Sequence, residues 1–459
     1  MKKVILAVVL IFLLAGAATP FISGLMMEST LKQVFNDINQ MYSDTGSDIS
    51  IEISRYDRNY SSSLIEWKIK LGTLKAWYGV DELIFLDRAK HGFTSVVSYT
   101  SLEKNKWFMD FVNQKLNGEN PLKIRTEYNY SGVIEALITL EEFILKDGNE
   151  VYEFMPGQMA TTFDKGVENI FIEGIWEGFS VSDKFKIDEI SVNSKLEKLS
   201  TIIWTGDTTL ATKKIEGKNA KSQFELSNVK CDYSMDVDKT GNALSFRVGY
   251  GIDSIVVDQN QIKDASIRIR INRINIEGYK EFIKTGSQAM KNAMGDMPDI
   301  SPQDNEEAKK AAEKRMASLG FQMIPVYEKL LKQGLEIQIS DLKAELSKGQ
   351  IKGDITLGLR KDMTFAQFFP VMMQPGLALD IFYLKSDVSL PYELIADKKN
   401  LLHPIFPGMH TGFFVKKGNN LIHSAETRNG KLFLNDQEVK LGLGLGSDRD
   451  NILIKQYKQ

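Results

Sequence analysis

The stretch KCDYSMDVDKTGNALSFRVGYGIDSIVVD, residues 230–258, decides the fold class. Cys231, Tyr233, Met235 and Val237 alternate with charged or polar residues, and Leu244, Phe246, Val248, Tyr250 and Ile252 repeat the pattern. A period of two sends one set of side chains to one face of a strand and the other set to the opposite face. The residues between the two runs, Asp238-Lys239-Thr240-Gly241-Asn242, form a hairpin connection in which Gly241 is free to take positive φ. Together they predict an antiparallel pair, dry on one side and wet on the other. Cys231 is expected to be a small buried apolar residue, since no acid–base partner lies near it in sequence.

The same period recurs outward from this pair. Ile267, Ile269 and Ile271 alternate with Arg268 and Arg270, and strand patterns dominate residues 121–276 and return after residue 335. Nearer the start, Ile49, Ile51 and Ile53 alternate with polar residues, as do Ile65, Trp67, Ile69 and Leu71. Between these two runs, Tyr56, Arg58 and Asn59 make the turn, and Ser61, Ser62 and Ser63 ease into the second strand. Trp107, Phe108, Phe111, Val112 and Leu116 predict a short helix that stops at Asn117-Gly118. A helical insertion is expected at 277–334, with apolar stripes through Tyr279, Phe282 and Ala289 and through 308–330. The fold class is therefore mainly β with helical insertions, a large curved antiparallel sheet or sheets carrying a helical hairpin.

The amino terminus sets a different expectation. Lys2 and Lys3 precede an uninterrupted apolar run over 4–18, and low charge continues to Met27. Ala15-Gly16-Ala17 offers the small-residue pattern of a cleavage site. The length of the run, more than the ~20 residues needed to cross a bilayer, favours an uncleaved anchor with the lysines cytoplasmic. Leu31, Val34, Phe35 and Ile38 continue the helix as an amphipathic segment over 28–47. The expected division is thus an anchor at 1–27, that segment, and a β-rich domain at 48–459.

Bulk composition narrows the function. With 43% hydrophobic residues the chain has enough apolar content for a core, so disorder is not the default. Its net charge of -3 gives no electrostatic reason to expect nucleic acid. One cysteine excludes an internal disulfide. The four histidines, His91, His403, His410 and His423, form no metal-binding spacing. Asp236 and Asp238 open like a calcium loop, but Arg247 stands where the bidentate glutamate belongs. Gly442, Gly444 and Gly446 alternate with leucines as one face of a terminal strand and lead into no helix. The serines at 61–63 lack the glycine flanks of a nucleophile elbow. No catalytic residue, cofactor site or metal site is expected.

Several short motifs in this chain form an ordered set. Gly24 and Glu28 give a Gly-x-x-x-Glu pattern where the apolar run ends. Tyr56, Arg58, Asn59, Tyr60, Ser61 and Ser62 form a Tyr-x-Arg segment running into an aromatic residue and serines. His91-Gly92 comes next, then Gly118, Glu119 and Pro121, then Tyr130, Ser131 and Gly132, and finally Asn429, Gly430, Leu434 and Asn435. In this the chain resembles the YdgA family, envelope proteins of Gram-negative bacteria carrying a domain of unknown function numbered 945. Asn59 departs from the glycine usual in the family, a mild change because Asn tolerates the left-handed conformation. The resemblance implies an uncleaved inner-membrane anchor with the bulk of the chain in the periplasm. It brings no catalytic residues.

Two functions remain in view. The first is a non-enzymatic protein, single-pass through residues 4–27, that binds or scaffolds an envelope protein or other envelope component. Self-association is an open option. The second is a lipid carrier whose apolar sheet face spans between the membranes. They differ in whether the apolar face is filled by the protein itself.

Overall fold

The computed structural model describes residues 2–219, 221–295, 320, 322–396 and 413–439, with α1 side chains from Thr19 onward. Among the described residues there are twenty-two strands, and the chain is mainly β as expected. Contact density divides it into two compact units, residues 1–210 with 283–306, and residues 211–282 with 307–459.

In the first unit a 43-residue helix, α1 (Lys2–Asp44), precedes strands β1 (Ser50–Arg58), β2 (Ser62–Lys70), β3 (Glu82–His91), β4 (Ser95–Ser101), β5 (Leu122–Asn129) and β6 (Val133–Leu140). These six pair in sequence order. The sheet continues through β9 (Gly157–Asp164), β10 (Asn169–Val181) and β11 (Phe185–Ser200). Strand β8 (Glu150–Phe154) shares an edge of β10 with β9 and carries β7 (Phe143–Asp147). The face of α1 bearing Met27, Leu31, Val34, Phe35 and Ile38 packs on Ile65, Ala89, Val96, Tyr128 and Ile134. The helix Lys106–Lys115 covers Phe85, Phe143 and Leu145 and ends at left-handed Asn117 and Gly118, where its stop is expected. Among the described residues no helix is long and apolar enough to cross a membrane. The anchor expected at 4–27 thus gains no support here, and the side chains of 4–18 lie outside the described set.

The second unit pairs β13 (Gln223–Val237), β14 (Ala243–Val257), β15 (Asn260–Asn275), β16 (Glu336–Leu346), β17 (Gly349–Leu359) and β18 (Phe382–Pro391) in order. Strand β18 then pairs with β20 (Asn420–Arg428). Gly241 at φ 74° turns the first hairpin, and Asn429-Gly430, both at positive φ, turns another. The helical insertion begins as a helix at Ile276–Gly295, where Phe282 meets Tyr327 of the segment 322–330. Most of the stripe over 308–330 lies outside the described residues, as do His403, His410 and the glycines at 442–446.

The long strands break their own alternation, and each break has a backbone cause. In β15 the apolar parity passes from Ile262 to Ile267, Ile269 and Ile271, then to Ile274; the changes fall at Asp264 (φ 47°) and Arg273 (φ 59°). Asn228 does the same in β13, Asp341 in β16 and Glu189 in β11. A left-handed residue in a strand interrupts the pleat, so apolar residues on both sides of it share one face. In β10 the ring centroids of Trp176 and Phe179, three residues apart, lie 6.5 Å from each other across Gly178. Arg268 and Arg270 keep the opposite parity to Ile267, Ile269 and Ile271, as their spacing predicts.

Asp264→Val should lower stability by about 1–2 kcal/mol, because a β-branched residue resists the left-handed region, whereas Asp264→Gly should change little. Urea unfolding midpoints of the full chain measure the contrast.

Candidate functional site

The ordered motifs converge where α1 meets one end of the first sheet. Three hairpin turns sit side by side there: 59–61 between β1 and β2, 92–94 between β3 and β4, and 130–132 between β5 and β6. Backbone hydrogen bonds from His91 N to Ser61 O (2.9 Å) and from Tyr130 N to Thr94 O (3.4 Å) tie each turn to the next.

Gly24 is the contact on which the docking turns. A Cβ at this position would overlap the His91 ring, so only glycine lets the helix come this close. Glycine inside a helix otherwise costs about 1 kcal/mol relative to alanine. One turn on, Glu28 accepts from Arg58 Nη1 at 2.7 Å and from Lys32 at 2.8 Å. The Arg58 guanidinium also lies over the Phe21 ring, 5.1 Å from its centroid. Tyr56 donates to the Gly24 carbonyl (3.4 Å), Ser23 to the Gly92 carbonyl (3.3 Å), and Tyr130 to the Thr19 carbonyl (3.1 Å). Polar links thus join α1 to β1 and to two of the three turns.

His91 is the hub. Its Nδ1 lies 3.3 Å from the Tyr60 carbonyl, which can only accept, so Nδ1 carries the proton. Its Nε2 then accepts from Ser63 Oγ at 2.8 Å. Burial pushes the His91 pKa below its ordinary value, with Arg58 adding to the shift, while the Tyr60 and Pro20 carbonyls oppose it. The net effect favours the neutral ring. Ser63 and His91 have the spacing of a nucleophile and its base, but both are buried and a carbonyl stands where an orienting carboxylate would be. The pair is a structural link between β2, β3 and the helix. Deeper under α1, Asp87 takes a hydrogen bond from Trp67 Nε1 (3.1 Å), and its other oxygen has no partner. Burial pushes its carboxyl pKa up.

Of the motif residues, Gly24, Glu28, Tyr56, Arg58, Tyr60, Ser61, His91, Gly92 and Tyr130 meet at this junction. Ser62 pairs with Lys90 on the alternate parity of β2. Gly132 turns the third hairpin at φ 86°. Pro121 immediately precedes β5 and accepts from the Glu141 N–H, and Asn429 and Gly430 lie in the second unit, so these three stand apart. Asn59 is not at positive φ, so the left-handed role expected of it is corrected; its backbone N–H closes the turn onto Ser62 O instead. Tyr56 and Arg58 belong to β1 rather than to the turn. Sequence reasoning missed the roles of Ser23 and Ser63, although Ser63 shares the inward parity of Ile65 and Trp67. Cys231, expected buried, is half-buried. Among the described residues no group of three or more potential metal ligands occurs.

Gly24→Leu should overpack the junction and destabilise the chain by about 1–3 kcal/mol. Ser63→Ala should cost about 1–3 kcal/mol by stranding Nε2, whereas Ser62→Ala should be nearly neutral. Thermal unfolding reads all three. A folded pKa below the unfolded one means that the unfolded chain binds the proton first. The His91 contribution is therefore intact above about pH 6.5 and is lost as pH falls through the lowered value, and His91→Gln should remove that acid-sensitive part of the stability profile.

No curated protein and no solved structure matches the chain. Residues 1–442 match the family described as "Bacterial protein of unknown function (DUF945)", and the chain belongs to that family.

Proposed function

We propose that the protein is a non-enzymatic component of the bacterial envelope, held in the inner membrane through residues 4–27 with its bulk in the periplasm. In this reading the second unit binds the acyl chain of a lipid on its sheet. The observation that carries the reading lies along β17. Ile351, Ile355, Leu357 and Leu359 share one face; Ile351 and Leu359 are buried in separate clusters at the two ends, yet Leu357 between them is 40% exposed. The registers extend this middle across the sheet. Tyr233, Val248, Ile269, Ile339 and Ile355 form one cross-strand row, and Met235, Phe246, Ile271, Ile337, Leu357 and Leu384 form the next. All of the first row is half-buried, and Ile337 is exposed like Leu357. A contiguous apolar face of this kind marks a binding surface.

The rival reading, a scaffold for a protein partner, uses the same face. A photo-crosslinking residue at Leu357 of the full chain in membranes separates the two, with Thr356, on the opposite face, as control. Lipid adducts at Leu357 and none at Thr356 are expected. Protein adducts at Leu357, or none, would transfer the function to the scaffold reading.

A further inference from the structure

We propose that the three hairpin turns beside α1 form a lipid-facing surface that seats the first unit on the bilayer. The turns present Tyr60, Phe93 and Tyr130, and all three side chains are exposed, Phe93 at 68%. At its turn tip Phe93 leaves most of its ring uncovered by its own unit. Phe21, Ile22 and Leu25 of α1 are exposed as well, and they emerge among the same turns. The hydrogen bonds from Tyr130 to Thr19 and from Ser23 to Gly92 fix where the helix leaves the sheet. N-terminal to that level α1 continues unbroken back to Lys2, and the residues over 4–18 are all small or apolar. The aromatic tips therefore stand beside the helix where its amphipathic stretch gives way to the apolar run.

That placement selects the occupant. Tyrosine and phenylalanine with their bodies exposed beside an apolar helix match the interfacial layer of a bilayer, where aromatic rings sit at headgroup level. Lys90, exposed on the last strand residues before the second turn, adds a cation suited to anionic headgroups. The Gly24–His91 contact makes the helix and the turns one rigid piece at this end. The bilayer then meets the turns at a set depth, which sets the tilt of the first unit on the membrane.

The inference rests on the membrane-held reading, and the test keeps the two apart. In a Cys231→Ser background the full chain is reconstituted into vesicles of phosphatidylethanolamine and phosphatidylglycerol. An environment-sensitive fluorophore is attached at Phe93→Cys, at Val9→Cys, or at Asp81→Cys at the far end of β3. Expected are a blue shift at position 93 with quenching by a spin label near the headgroups, quenching at position 9 by a deep spin label, and neither effect at position 81. Quenching at 9 but not at 93 would leave the anchor standing and overturn the proposal. A blue shift at 93 without lipid quenching would mean that protein covers the turns, which also overturns it. No quenching at 9 or 93 would remove the membrane-held reading and the proposal together.

Discussion

The close approach of α1 to the His91 ring, permitted by the missing side chain of Gly24, is the constraint on which the first unit depends. It brings the Gly24 carbonyl to Tyr56, Glu28 to Arg58, and the apolar stripe from Met27 to Ile38 onto β1 to β6. Each large side chain buried under the helix contributes about 1.5–3 kcal/mol, so the stripe supplies most of the docking energy. The polar contacts add less energy and more definition. With Ser63 and Tyr60 holding both ring nitrogens, His91 has one orientation, and the helix has one register against it.

Much of the sheet was legible because alternation is a direct consequence of strand geometry. Cys231 to Val237, Leu244 to Ile252 and Ile267 to Ile271 all stand where their parity places them, and the hairpins at Gly241 and Asn429-Gly430 turn as their residues require. The full length of the strands was not legible. Nothing in residue type marks Asn228, Asp264 and Asp341 out from their polar neighbours, whereas each is left-handed and reverses the parity of the strand beyond it. A run that loses its period looks like the end of a strand when it is only a kink.

The junction was half legible. Gly24, Glu28, Arg58 and His91 stood out as short motifs, but nothing local says that residues tens of positions apart touch. Asn59 drew attention for a backbone conformation it does not adopt, because a turn was inferred from residue type rather than from the hydrogen bond that closes it. Ser63 was passed over with its neighbours, although its parity already placed it inward. Contacts between a helix and a sheet are set by packing, and packing carries no sequence period of its own.

The same physics separates the two units. In the first, helices cover the inner face of the early strands; in the second, packed clusters close the two ends of β17 and leave its middle accessible. The proposed function depends on that difference. Native mass spectrometry of the full chain released from lipid nanodiscs tests it most directly. The account predicts a phospholipid adduct on the wild-type chain that is lost when Ile337→Glu and Leu357→Glu are combined. Equal adducts on the two proteins, with both folded, would contradict it.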